Sequence, residues 1–130
     1  MKFSEDGDEI VCQWEPHRDF QGFHDILHGG IQSTMIDEIA SWVVFMKLDT
    51  AGVTYRLSVK YLHAVKVSKG EVLLKAKLRE QKRSLASIDV ELFDGEGKCC
   101  TEGLAEYFVF TREKARNELH FPGKAEFYES

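Results

Sequence analysis

The chain has 130 residues, 43% of them hydrophobic and 30% charged, which fits one globular domain with a sizeable core. A net charge of −5 argues against nucleic acid as the main partner. That charge is uneven: residues 1–50 carry three basic and ten acidic side chains, residues 51–130 fourteen and twelve. An anionic ligand is therefore met more naturally by the second part. Cys12, Cys99 and Cys100 form neither a disulfide framework nor a zinc pattern, so a reducing, cytoplasmic setting is expected. No apolar core follows basic residues at the N-terminus and no apolar run approaches ~20 residues, so neither a signal peptide nor a membrane span is predicted.

Taken in order, residues 1–8 are polar and acidic and read as a flexible terminus. Glu9–Glu15 alternates, with Ile10, Cys12 and Trp14 on one side, and predicts a first strand ended by Pro16. Phe20–Leu27 reads as an irregular loop, aromatic and apolar enough to fold over a pocket.

A long helix is predicted from Gly30 to Met46. Unrolled at roughly 100° per residue, its Ile31, Met35, Ile36, Ile39, Trp42, Val43 and Met46 cover most of the circumference. The remaining lane carries Gly30, Ser33, Thr34, Asp37 and Ser41, with Glu38 at its edge. A carboxylate in the middle of that lane is costly unless it is paired, hydrogen-bonded or used. The plainer alternative is that Asp37 and Glu38 mark the exposed strip of an amphipathic helix. The Gly29-Gly30 opening favours use. It lets another group approach the backbone, and free helix-start N–H groups suit negative charge or an oxyanion. A polarising helix end plus a carboxylate is half of a hydrolytic site.

From Val53 the period switches to two. Val53–Ala64 is predicted to set Tyr55, Leu57, Val59 and Tyr61 against Thr54, Arg56, Ser58 and Lys60. Glu71–Gln81 and Ser84–Phe93 alternate as well, and Asp94-Gly95-Glu96-Gly97 is a hairpin turn before a last, aromatic strand at Cys99–Phe110. Cys99 and Cys100 should lie on opposite faces of it. An antiparallel sheet whose only long helix is apolar nearly all round must wrap that helix, giving an α+β domain over residues 9–110. Residues 111–130 form a charged extension, with a short helix at its start and Phe121, Phe127 and Tyr128 available to dock on the body or a partner subunit. His24, His63 and His120 show no ligand spacing with the cysteines, so no metal is expected.

This order of elements resembles the hotdog-fold acyl-CoA thioesterases, and most of all their phenylacetate-pathway (PaaI-type) branch. The residues that carry the likeness are Gln21-Gly22, His28-Gly29-Gly30, and Asp37 nine positions after His28. It extends roughly from Ile10 to Phe110. The resemblance implies a hotdog fold, an antiparallel sheet around one central helix. It implies that the Gly29 N–H, reinforced by the helix start at Gly30, polarises the thioester carbonyl. Asp37 would then be the nucleophile or the general base for water, acting across a dimer interface. Thr54 falls where a hydroxyl places water or substrate. His28 would sit beside the thioester, shaping the loop; a cap is its simpler role. Glu38 and the Lys82-Arg83-Ser84 segment join the substrate-binding group, the latter where the family contacts coenzyme A. Arg56, Lys60, Lys82 and Arg83 would otherwise be an ordinary solvated face.

One position departs from the pattern. Many PaaI-type members place an asparagine six residues before the motif histidine, where this chain has Gly22. Gln21 offers an amide in its place, in a loop made polar by His24 and Asp25. The resemblance further implies a homodimer or dimer of dimers, with no cofactor beyond the coenzyme A of the substrate. Two alternatives stand beside the hydrolase. A non-catalytic acyl-CoA or acyl-carrier binding protein is favoured by Gly22 and opposed by the intact His28-Gly29-Gly30 and Asp37. A hotdog dehydratase would need a second histidine motif that is not found. The apolar loop Phe20–Leu27, Trp42 and the aromatic last strand suggest an apolar or aromatic pocket, which leaves short, long and aryl acyl groups open.

Overall fold

Helix α1 spans Gly29–Leu48 in the computed structural model, which describes residues 2–111 and residue 113. It is longer by one or two residues at each end than the apolar pattern predicts. Six strands surround it: β1 (Lys2–Asp6), β2 (Glu9–Trp14), β3 (Gly52–Tyr61), β4 (Val72–Lys82), β5 (Leu85–Phe93) and β6 (Cys99–Val109). They form one sheet in the order β1-β2-β4-β5-β6-β3, every neighbour antiparallel. The helix lies on one face and touches β2 through β6. This is the sheet-around-helix arrangement that the sequence pattern predicts and the hotdog architecture that the resemblance implies. Among the described residues no helix is long and apolar enough to cross a membrane.

The core follows from the two periodicities meeting. Met35, Ile36, Ile39, Ala40 and Val43 of the helix pack against Leu74, Ala76, Ile88, Val90 and Ala105 of the sheet, all nearly inaccessible. Truncating a side chain such as Ile39 to alanine costs about 2–5 kcal/mol there. Close approach of helix and sheet has a specific requirement at Gly103. A Cβ at that position would come within 2.7 Å of Ile36 Cγ2. Strand β6 alternates as expected, with Cys100 buried and Cys99 half-buried.

Two features differ from the sequence reading. The acidic terminus, read as flexible, holds strand β1, which pairs with β2 from Lys2↔Gln13 to Asp6↔Glu9. Only Phe3 in it is partly buried, stacked on Trp42 at 4.8 Å, so no apolar alternation announced it. Lys47, in the last helical turn, ties the hairpin down through Glu5 Oε2 and the Gly7 carbonyl, both at 3.0 Å. The second difference is in β3, where the register slips between Thr54 and Arg56. Tyr55 is the extra residue, and it projects outward beside Phe108, their rings 4.7 Å apart. A bulge of this kind re-aims the side chain before it. Strict alternation puts Thr54 opposite Leu57, Val59 and Tyr61; the bulge turns it to the helix side with them. Of the extension, all but Thr111 and Glu113 lies outside the described residues, including Phe121, Phe127 and Tyr128.

Candidate active site

The polar lane of α1 is the exposed strip of an otherwise buried helix. Gly30, Thr34, Glu38 and Ser41 are exposed, while Ser33 and Asp37 are half-buried. Two clusters form along it.

The first surrounds Asp37. The Thr54 hydroxyl donates to its Oδ1 at 2.9 Å. The Tyr107 hydroxyl, from β6, donates to the same Oδ1 and reaches the Asp37 peptide carbonyl at 2.8 Å. Thr54 and Tyr107 are register partners across β3 and β6, so one row of the sheet supplies both hydroxyls. Tyr107 is 2% exposed. Burial, then its hydrogen bond to Asp37, pushes its phenol well above the usual tyrosine range, so it remains a donor. Among the described residues, Asp37 Oδ2 has no hydrogen-bond partner. The carboxylate is thus gripped by one oxygen and open at the other.

The second cluster surrounds the helix start. His28 is the N-cap, and its Nδ1 accepts the Gly30 N–H at 2.8 Å. The Gly30 N–H is therefore spent, whereas the Gly29 N–H has no acceptor among the described residues. The Tyr61 hydroxyl, from the far end of β3, donates to the Gly29 carbonyl at 2.8 Å and meets Ser33 Oγ at 2.6 Å. Thr34 folds back on the Gly30 carbonyl at 2.9 Å. A cavity of about 380 Å³ opens here, lined by Phe20, Gln21, His28, Gly30, Ile31 and Thr34 among others. A Cβ at position 30 would sit 3.0 Å from the His28 ring, so any larger residue there requires the capping imidazole to shift.

The loop over this cavity is held from below. The Gln21 Oε1 accepts the Asp25 N–H. Asp25, at φ 60°, accepts the Ser68 N–H at 2.7 Å and the Ser68 hydroxyl on its two oxygens. Those two bonds hold its carboxyl below the usual carboxylate range. Leu27 then bonds the Val65 carbonyl at 2.8 Å. Below the loop, Gln32 donates to the Leu27 carbonyl at 3.2 Å and accepts from the buried Thr101 hydroxyl.

The remaining sequence-predicted residues sit apart. Glu38 is exposed, its peptide carbonyl accepting the Ser41 hydroxyl at 2.6 Å. Lys82, Arg83 and Ser84 form the exposed β4–β5 hairpin, with Arg83 in the left-handed region at φ 55°. Gln81 pairs with Ala86 and Ala86 with Tyr107, so the hairpin rises one row beyond the Thr54–Tyr107 row, at the same end of the sheet. Tyr107 and Tyr61 are the site residues that sequence reasoning did not single out. Tyr107 read as one more core aromatic; the signal was its polar tip at a helix-facing position. The three cysteines offer no competing nucleophile. Burial pushes the Cys12 thiol up to about 11 and raises Cys99 and Cys100 as well. Among the described residues no three His, Cys, Asp or Glu side chains gather as a metal site.

Residues 24–101, more than half of the chain, match the Thioesterase superfamily. Solved structures share the fold. A hypothetical thioesterase of Streptococcus pneumoniae TIGR4, crystallised with coenzyme A, is 24% identical over 83% of this chain and 86% of that one, with a TM-score of 0.75. Zebrafish thioesterase superfamily member 2 is 25% identical over 81% and 78%, with a TM-score of 0.72. A Streptococcus mutans protein bound to acetyl-CoA is 20% identical over 85% and 90%, with a TM-score of 0.75. No curated protein matches the chain.

Proposed function

The chain belongs to the Thioesterase superfamily, and from that premise we propose that it hydrolyses an acyl-CoA thioester to a free acid and coenzyme A. The observation that carries the reading is the lane itself: one helix bears an uncommitted N–H at Gly29 and a carboxylate with one open oxygen at Asp37. The Gly29 N–H would hold the thioester oxygen as charge develops on it, aided by the helix end. Asp37 would either take a proton from the attacking water or attack the carbonyl itself. In the first case hydroxide adds to the carbonyl, the C–S bond breaks, and the thiolate leaves with the proton. In the second, an acyl-aspartyl anhydride forms as the thiolate leaves, and water then cleaves it. A thioester is activated enough that neither route needs a Ser-His-Asp triad. His28, through its cap, orients the loop beside the carbonyl. Crystallised neighbours with coenzyme A or acetyl-CoA support the substrate class. The Lys82-Arg83-Ser84 hairpin has the charge for coenzyme A phosphates, and Glu38 and Gly30 flank the acyl path. The His28-to-Asp37 spacing favours the PaaI-type branch. The reading needs no metal or redox cofactor.

The same reading favours a site shared by two chains. Gly29 and Asp37 are eight residues apart on one helix, about 12 Å along its axis. A carbonyl held at Gly29 is out of reach of the Asp37 carboxylate in the same chain, since attack needs about 3–3.5 Å. Strand β3 is a sheet edge, and Val53, Tyr55 and Tyr61 on it are each about half exposed. Such an edge pairs readily with a second copy. Antiparallel pairing about the middle of β3, near Leu57 and Ser58, lays the Tyr61 end of one chain beside the Thr54 end of the other. In such a homodimer, or a dimer of dimers, each Asp37 would face the partner subunit's Gly29.

A second reading, a binding protein without turnover, is favoured by Gly22 and by Gln21, whose amide oxygen is already engaged by Asp25. One experiment separates the two. Coenzyme A release is measured on short, medium, long and aryl acyl-CoAs beside Asp37→Ala. Turnover lost in a folded Asp37→Ala supports the hydrolase; binding without release by either protein supports the second reading.

A further inference from the structure

We propose that Tyr107 is the positioning residue of this site: its hydroxyl, with that of Thr54, occupies Asp37 Oδ1 and so leaves Oδ2 as the oxygen that meets water or substrate. The inference rests on the reading of Asp37 as the reacting carboxylate. Three observations carry it. The single proton of the Tyr107 hydroxyl is shared between Asp37 Oδ1 and the Asp37 peptide carbonyl, 2.8 Å away, so one bifurcated donor ties the side chain to its own backbone. That double hold fixes the carboxylate rotamer on a helix face where it would otherwise swing in solvent. The Thr54 hydroxyl, at 2.9 Å, takes the same oxygen from the edge strand. Finally, Tyr107 is 2% exposed, with Ala86 as its small register partner on β5. It stands on the floor of the site, too deep to touch a substrate. A buried hydroxyl aimed at a half-exposed carboxylate has a rigid base from which to aim it.

Tyr107→Phe keeps the ring and removes only the donor. The expected result is a kcat lower by on the order of ten- to a hundredfold, with KM and coenzyme A binding unchanged. Thr54→Val, on the exposed edge strand, leaves folding unchallenged and should lower kcat in the same way, whereas Thr54→Ser should retain it. Because both hydroxyls hold one oxygen, the double variant should depart from the product of the single effects. Tyr107→Phe with a lowered Tm but full kcat per folded molecule would assign the tyrosine to structure alone and overturn the proposal. Should Tyr107→Phe fail to fold, 3-fluorotyrosine at position 107 keeps the ring and hydroxyl but makes the phenol a stronger donor to Oδ1. It should shift kcat, and a kcat unmoved there together with full kcat in Thr54→Val would overturn the proposal. Asp37→Asn separates the two levels: residual full activity there defeats the catalytic reading itself, while an inactive Asp37→Asn beside a fully active Tyr107→Phe defeats only the positioning.

Discussion

The two ends of the polar lane are built in opposite ways. Around Asp37 the chain over-determines a carboxylate: two strands contribute hydroxyls to a single oxygen, and one of them comes from the protein interior. Around Gly29 the chain clears space. The His28 imidazole takes the neighbouring Gly30 N–H, Tyr61 takes the Gly29 carbonyl, and the Gly29 N–H is left without an acceptor among the described residues. The first cluster aims a negative charge; the second leaves a donor waiting for one. On the proposed reading each would be half of a hydrolytic site, and the helix between them keeps the two about 12 Å apart. On that reading, a charge and a donor meant for the same carbonyl would meet only across two chains, and the difference between the two ends becomes a proposal about assembly.

The comparison breaks most visibly at its chemical poles. Asp37→Asn preserves shape and removes the charge, and kcat should fall on the order of a thousandfold with the fold intact, read by thiol release and by circular dichroism. Gly29→Pro attacks the other pole. Proline is favoured at the first helical position, and His28 already has the extended conformation (φ −60°, ψ 134°) that a following proline requires. It deletes the one open N–H and should cost about a hundredfold or more in kcat. Gly29→Ala, which adds a methyl 3.3 Å from the Tyr61 ring but keeps the N–H, separates crowding from the donor and should lose less. His28→Ala tests the cap. Stability should fall by about 1 kcal/mol in a denaturant titration, with activity reduced only as the loop loosens. The smallest effect belongs to Asp25. A carboxyl held low by Ser68 stabilises the fold at pH above its unfolded value, near ~4, and loses that contribution as the pH falls through its folded value. Ser68→Ala should therefore narrow the stability gap between pH 7 and pH 3, read as Tm against pH, and leave the Asp37 end untouched.

Much of this was legible before any coordinates. The lane of Gly30, Ser33, Thr34, Asp37 and Ser41 emerged from helical spacing alone, because a helix buried on most of its surface leaves few places for small polar side chains. The strands β4, β5 and β6 alternated cleanly for the same reason. What stayed hidden depended on backbone irregularity or on partners far along the chain. Thr54 faces the helix only because Tyr55 is a bulge, and a period-two reading sends it to the other side. Tyr107 lies seventy residues from Asp37 and looked like core. Strand β1 gains its place from pairing, from Phe3 on Trp42 and from Lys47, none of which an acidic pentapeptide displays. Its one local sign was Asp6-Gly7, a dipeptide that favours tight hairpins.

The central claim, that one site is assembled from two chains, is tested most directly by mixing two inactive variants. Asp37→Ala and Gly29→Pro are each purified, unfolded together in equal amounts, and refolded before coenzyme A release is measured. In a mixed dimer one site combines both lesions, while the other combines an intact Asp37 with an intact Gly29. Random pairing should therefore restore about a quarter of the native activity, from two proteins that have none alone. A mixture that refolds into dimers and stays inactive, or a native monomer that turns over substrate, would contradict the account.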